Sequence, residues 1–356
     1  MCGSSLDGVD LALCRFERSV TGGWSYEIIR AATHPYPEDW RERLKAIHRQ
    51  SALYLAEQHA HFGRFLGEVI SAFLGRERPD VVSVHGHTVF HRPGQGFTWQ
   101  LGSGEAMAAV LDVPVVADIR QRDVSLGGQG APLVPLGERY LFPGLELFLN
   151  LGGIVNLSAP NVAFDICIGN QALNELAMEV GKPFDDNGRL AAKGGVLNDL
   201  LDSLNALSWN HLPAPKSLDQ GFFEDAVRPV LQKSSGKIED KLATYAEHVA
   251  IQVERSVRRY GEGNQRILVT GGGARNHYLL ERIGKHLEKV GVSVVDSDSS
   301  EIIDFKEALV FAFLGLQTLM GNVNCDHRLT GAIHSSVGGS LHLPSRCRMD
   351  QARRFS

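Results

Sequence analysis

The sequence predicts an α/β protein of two domains, each a mixed β-sheet flanked by helices, with residues 1–145 in the first and 146–356 in the second. Three observations carry that expectation. The 356 residues are enough to bury a core in each of two domains. Short apolar runs of strand character alternate with segments of helical periodicity along most of the chain. A glycine turn beside an apolar strand occurs at the N-terminus, recurs after residue 151, and returns a third time after residue 269.

The elements follow in order. Residues 1–16 hold a glycine and hydroxyl turn and then an alternating strand, Val9-Asp10-Leu11-Ala12-Leu13; residues 24–33 add a further strand, giving an antiparallel meander. Pro37 and Asp39 mark a helix start near Trp40, and a longer helix spans 51–74. A buried strand at 80–84 ends in His85-Gly86-His87-Thr88. Beyond it, 97–101 reads as a strand, 104–111 as a helix, and 113–117 as a strand closing on Asp118. The polar, glycine-rich run RQRDVSLGGQG (120–130) is expected as a loop over a cleft. Helices are expected at 171–180, 190–207, 222–232 and 305–320. The clearest is 241–260, with Leu242, Tyr245, Val249, Val253 and Val257 on one side. The tail from His327 lacks periodicity and reads as loop.

The chemistry concentrates in LFLNLGGIVNLSAPNVAFDICIGN (147–170). This stretch reads as a strand, a tight Gly152-Gly153 turn, a returning strand, and a third strand ending at Asp165, before Gly169 and Asn170 open a helix. The glycines allow positive φ and let a ligand reach the backbone. A carboxylate between a strand end and a helix start suits a catalytic base near a phosphate; an Asp that caps the next helix is the alternative. The third turn, Gly271-Gly272-Gly273-Ala274-Arg275-Asn276, follows an apolar strand and precedes a helix. Together the turns suggest a duplicated nucleotide-binding framework. Two hairpin turns would grip phosphates, and the third would lie near the adenosine. Neither the dinucleotide fingerprint nor the single-loop ATPase motif is present in these turns.

Composition narrows the partners. A net charge of -5, with 22% charged residues, gives no reason to expect nucleic acid or an anionic membrane. The first twenty residues carry Asp7, Asp10 and Glu17 and lack the apolar core of a secretory signal. The longest apolar run, 308–320, is too short to span a bilayer and reads as a buried helix. Five cysteines (Cys2, Cys14, Cys167, Cys325, Cys347) without paired metal spacing suggest reduced thiols and a cytoplasmic location. Cys167, between Ile166 and Ile168, is expected to pack rather than react.

Several pieces are familiar in this order: CGSSLDG (2–8), HGHTVFHRP (85–93), TWQLG (98–102), VVADIRQRDVSLGGQGAPLVP (115–135), LNLGGIVNL (149–157), FDDNG (184–188), GGGARN (271–276) and KEALVFAFL (306–314). On these the sequence resembles the anhydro-N-acetylmuramic acid kinase family, within the sugar kinase, heat-shock ATPase and actin superfamily. The resemblance implies a two-domain actin-like ATPase fold with the active site in an interdomain cleft. It also implies a cytoplasmic enzyme of cell-wall recycling that uses ATP, Mg2+ and water to open 1,6-anhydro-N-acetylmuramic acid and phosphorylate it to N-acetylmuramic acid 6-phosphate. A phosphohydrolase or ATPase of the same superfamily, and a sugar-binding homologue without turnover, are the alternatives.

By the same resemblance Asp165 is the base that deprotonates water. The nucleotide side comprises Gly3, Ser4, Ser5, Leu6, Asp7, Gly8, Val9, Asp10, Gly152, Gly153, Gly271, Gly272, Gly273 and Asn276, with Asp7 near the metal through water. The sugar side comprises His85, Asp118, Arg120 and Glu307. Arg120 offers a fork for the lactyl carboxylate, with an ion pair to Asp118 or Asp123 as its alternative. The partners are ATP and the sugar, with a homodimer allowed. The family reads Asp-Thr-Gly-Pro-Gly-Asn where this chain has Asp165-Ile166-Cys167-Ile168-Gly169-Asn170, which is expected to alter the floor of the site; His87 stands for glutamine and Ser4 for threonine. Family members also carry an apolar strand before the first turn, where only Met1 and Cys2 stand here, so a natural start several residues upstream is expected.

Overall fold

The computed structural model describes residues 1–2, 6–218, 221–295 and 300–344. Of the expected phosphate-turn residues, Gly3, Ser4 and Ser5 lie outside this set, as does Cys347. The strands are β1 (Gly8–Arg18), β2 (Trp24–Pro35), β3 (Val82–Ser83), β4 (His87–Arg92), β5 (Phe97–Leu101), β6 (Val115–Ala117), β7 (Leu147–Leu151), β8 (Ile154–Ala159), β9 (Val162–Ile168), β10 (Arg266–Thr270), β11 (Ser293–Val295) and β12 (Ser340–His342). They fall in two compact units, Met1–Leu141 with Phe305–Ser356, and Phe142–Asp304.

That division differs from the expected one, which assigned everything after 145 to the second domain. The later segment belongs with the first unit for identifiable reasons. Lys306, on the helix Ser300–Leu319, forms a buried ion pair with Glu138 of the helix Val134–Leu141. β12, in the tail expected to be loop, pairs antiparallel with β6. Its partner is more than two hundred residues away in sequence, so no local periodicity announces it.

In the second unit one five-stranded sheet runs in the order β11-β10-β7-β8-β9. β7, β8 and β9 form an antiparallel meander, and β10 joins β7 in parallel, with β11 parallel to β10. β7 is the central strand, and four of its five residues are buried, as a strand covered on both faces requires. The helix Ile238–Tyr260 covers the sheet. Tyr245 is fully buried, and its hydroxyl donates to the Ile168 carbonyl at the end of β9. The helix expected at 190–207 is instead broken: a short turn at Ala191–Lys193, then Gly194 and Gly195, and a helix only over Asn198–Asn205.

The first unit is less continuous. β1 and β2 form a two-stranded sheet, and β12-β6-β3 forms a second sheet with β3 parallel to β6. β4 and β5 make a separate hairpin. The strand expected at 80–84 contracts to two residues, and Gly86, at φ 73, turns the chain before β4 begins. His85 therefore lies outside the strands and His87 opens β4. The core is built around Phe62 and Leu66 of the helix Ala52–Leu74, with Leu101, Met107 and Val115. Ser51 and Ser103 cap the helices Ala52–Leu74 and Gly104–Leu111 through their hydroxyls. The run 120–130 is not all loop, since Gln121–Ser125 is a short helix.

Candidate active site

Asp165 lies within β9 rather than at a strand end, opposite Asn156 and beside a register irregularity. The departure Ile166-Cys167-Ile168 explains the difference. These residues are 2%, 3% and 1% exposed and continue the strand into the core, where a Thr-Gly-Pro sequence would end it. They therefore pack inside the unit. Burial pushes the Cys167 thiol up to about 12, in keeping with a packing role.

An aperiodic loop at 216–218 holds the Asp165 carboxyl. Its Oδ2 accepts from the Leu218 amide at 2.9 Å and from the Ser217 hydroxyl at 3.1 Å, and its own amide donates to the Lys216 carbonyl. Both of these bonds fall on Oδ2. Burial raises the carboxyl above its ordinary range, and the two donors and the Lys216 charge pull it partly back. Lys216 in turn donates to the Trp209 carbonyl and sits over the Trp209 ring, whose Nε1 donates to the Ile166 carbonyl. The cap alternative for Asp165 fails: the helix Asn170–Met178 has Gly169 as its N-cap and no side-chain cap.

The glycine turns of this unit meet. Gly169 and Asn170 amides donate to the Gly153 and Gly152 carbonyls, and the Asn170 side chain donates to the Leu151 carbonyl. Gly271 packs on the end of β7, where a Cβ would stand 2.4 Å from Asn150 Oδ1, and its φ of 84 also calls for glycine. Gly273 presses on Leu151 in the same way. Gly152 and Gly153 do not use positive φ, contrary to the expectation. Gly153 has nothing within 4 Å of a built Cβ, so its open side leaves room for a ligand at the backbone. Asp165 lies three residues along β9 from the end of the strand at this turn, roughly 10 Å at strand spacing. Asn276 caps the helix His277–Glu288 by accepting from the Leu279 amide, and Gly188 of the FDDNG motif packs against it. Its Oδ1 is thereby engaged in the cap.

In the first unit Leu6, at φ 56, leads into Asp7, whose Oδ1 accepts from the Gly8 amide while its carboxyl remains exposed. Gly8 and Val9 are buried at the start of β1, and Asp10 accepts from Thr33 across the pair. On the sugar side, Arg120 donates through Nε to His85 Nε2 at 2.9 Å and through Nη1 to the Gly130 carbonyl at 2.6 Å. His85 Nδ1 meets the Gly86 carbonyl at 2.8 Å, so the ring is neutral with its proton on Nδ1. Burial and the nearby Arg120 hold it well below the usual imidazole range. Both ring nitrogens are occupied, and no metal-holding group of His, Cys, Asp or Glu occurs among the described residues.

Neither carboxylate considered as a partner for Arg120 pairs with it. Asp123 accepts from the Gly130 amide and the Thr330 hydroxyl instead. Asp118, at φ 55, has its carboxyl raised by burial, with His59 and His342 pulling it back. Glu307 lies close enough to feel Arg120; burial raises its carboxyl, and Lys306 and Arg120 oppose the rise. His85, Arg120 and Glu307 thus belong to one electrostatic neighbourhood, while Asp118 belongs to a neighbouring one with His59 and His342.

The family described as anhydro-N-acetylmuramic acid kinase matches residues 1–344. Proteins of that name are similar to this chain along almost its whole length. The one from Paramagnetospirillum magneticum is 34% identical, covering 97% of this chain and 98% of the relative. Those from Azorhizobium caulinodans and Rhizorhabdus wittichii are 33% and 31% identical at the same coverage. The class is a carbohydrate kinase, a phosphotransferase. The chain belongs to the anhydro-N-acetylmuramic acid kinase family.

Proposed function

We propose that the protein uses ATP and water to convert 1,6-anhydro-N-acetylmuramic acid into N-acetylmuramic acid 6-phosphate. Asp165 takes a proton from water, and the water oxygen bonds to the anomeric carbon. The bond from that carbon to the bridging oxygen breaks, and the bridging oxygen receives the γ-phosphoryl group as ADP leaves. The leaving oxygen then needs no acid, since phosphorus replaces the proton. The observation that carries the substrate assignment is Arg120. It is a largely buried guanidinium that makes no ion pair among the described residues, oriented by His85 and the Gly130 carbonyl. Burial makes the guanidinium charge costly; Glu307 supports it from nearby, and the lactyl carboxylate of a muramic acid supplies a direct partner.

The residues also fit Mg2+ delivered with ATP. Asp7 is a single exposed carboxylate beside the first turn, which suits an ion coordinated mostly by water and phosphate oxygens. When bound, the ion neutralises phosphate charge. The five-stranded order of the second unit, a meander extended by two parallel strands, supports an actin-like ATPase scaffold. The open backbone at Gly153 supports phosphate contact there.

The test is incubation with ATP, Mg2+ and the anhydro sugar in oxygen-18 water, followed by mass detection. A phosphosugar carrying one heavy oxygen at the anomeric position is expected. Phosphate release independent of sugar would identify an ATPase, and sugar binding without turnover a sensor.

A further inference from the structure

The register of the second unit's sheet lines up two asparagines with the base. Asn150 of β7 stands opposite Asn156 of β8, and Asn156 stands opposite Asp165 of β9. Residues directly opposed across a ladder share one face of the sheet. Their neighbours Leu149, Leu157 and Phe164 are opposed in the same way, and all three lie in the core of the unit. Side chains alternate along a strand, so the row Asn150-Asn156-Asp165 lies on the other face, and its members are half-buried. Asn150 reaches the glycine turns: its Oδ1 would be 2.4 Å from a Cβ at Gly271, and its Nδ2 3.5 Å from one at Gly152. Asn156 thus stands between the residue that meets the turns and the base. The register irregularity between Val155 and Asn156 falls beside this pair, where a sheet can re-aim a side chain. Among the described residues no side-chain hydrogen bond engages the Asn156 carboxamide, whereas Asp165 is held by Ser217 and Leu218.

We propose that Asn156 is the second acceptor for the attacking water, an inference that rests on the function proposed above. Water brings two O–H groups to the anomeric carbon. Asp165 takes one proton as the oxygen bonds to carbon; the other stays on that oxygen and becomes the anomeric hydroxyl. While the first proton moves, the second O–H needs an acceptor that does not compete for the proton. A carboxamide oxygen serves, because it accepts a hydrogen bond and stays neutral. The spacing fits as well. A water that donates to two acceptors at about 2.8 Å each holds them roughly 4.5 Å apart. Opposed side chains on antiparallel strands start about 4.5 to 5.5 Å apart at Cβ. One water can therefore span Asp165 and Asn156 without either strand moving, with a lone pair left to point off the sheet. Asn156 fixes that orientation, so its contribution belongs to the chemical step and not to holding the sugar.

The experiment gives the full chain ATP, Mg2+ and the anhydro sugar in oxygen-18 water, and compares wild type with Asn156→Ala and Asn156→Asp. The alanine variant is expected to lose about thirtyfold in kcat, with the KM for each substrate within about twofold of wild type. Asn156→Leu, of similar size without an acceptor, repeats this test should the alanine variant not fold. The aspartate variant keeps an acceptor but sets a like charge opposite Asp165, which disfavours the ionised base. Its acid limb of kcat should move up by about one pH unit, and the rate above that limb should return to within about fivefold of wild type. An asparagine with a merely structural role would leave the limb in place. A wild-type kcat without the acceptor, a loss carried by KM alone, or an aspartate limb that does not move overturns the proposal. If the wild-type product still carries heavy oxygen in those cases, the proposed function stands. A wild-type product without it overturns that function and this proposal together.

Discussion

The second unit closes its sheet around β7, whereas the first leaves β1 and β3 in separate sheets. One unit thus presents a single five-stranded sheet, and the other, among the described residues, three smaller ones. A central strand has two jobs, since it pairs on both edges and its end launches the glycine turn. Where β7 is present, the turn is anchored from three sides: by the strand, by the Gly169 and Asn170 amides, and by Gly271 and Gly273 pressed on Leu151. In the first unit Cys2 bridges to Val9, Met1 pairs with Asp10, and the Asp7 carboxyl accepts from the Gly8 amide.

The largest test falls in the second unit. Asp165→Asn keeps the shape of the side chain but cannot accept the proton, so turnover should fall at least about a thousandfold while ATP still binds. Steady-state rates on the purified, folded variant decide it, and a wild-type rate would remove Asp165 from the mechanism. The first unit is tested next. Arg120→Ala should weaken muramic acid substrates by roughly 2 to 3 kcal/mol relative to anhydro-N-acetylglucosamine, which lacks the lactyl carboxylate. Equal losses on both sugars would assign Arg120 a structural role through the Gly130 carbonyl.

These two residues also show how far the sequence carries. Asp165 and Arg120 are legible because each stands in a recognisable run of residues, as do the strands 147–151, 154–158 and 97–101, where alternation and turn residues agree. The supports of Asp165 are not. Ser217 and Leu218 belong to an aperiodic loop, and their bonds to a strand residue some fifty positions away leave no trace in local pattern. β12 was hidden for the same reason. A carboxylate after the apolar run 162–164 suggests a strand end at Asp165, although the Ile166-Cys167-Ile168 departure itself carries β9 onward. Asn276 lies in the GGGARN run, and that its oxygen also caps a helix is not legible from the run alone.

A smaller effect sharpens the difference between a glycine that holds the turns together and one that faces outward. Gly271→Ala would place a Cβ 2.4 Å from Asn150 Oδ1 at a φ of 84, and should cost about 1 to 3 kcal/mol in stability. Gly153→Ala meets nothing within 4 Å and should melt within about 0.5 kcal/mol of wild type, while raising the KM for ATP if phosphate approaches there. Thermal melts with ATP titrations separate the two. Equal destabilisation would mean that the outward turn is as tightly packed as the inner one.

The smallest effect is a shift rather than a loss. The Asp165 carboxyl is raised by burial, and the Leu218 amide and Ser217 hydroxyl lower it by stabilising the ionised form. A base works only when ionised, so the rate should rise with pH through the raised Asp165 value and then level off. Ser217→Ala removes one donor and leaves the backbone donor at Leu218 in place. The carboxylate loses some of its stabilisation, its pKa moves further up, and the acid limb of the kcat profile should shift to higher pH with the plateau little changed. A pH series on wild type and variant reads this directly. A limb that stays put or moves to lower pH would show that Ser217 does not tune the base. A plateau that collapses without a shift would show that the hydroxyl positions Asp165 instead.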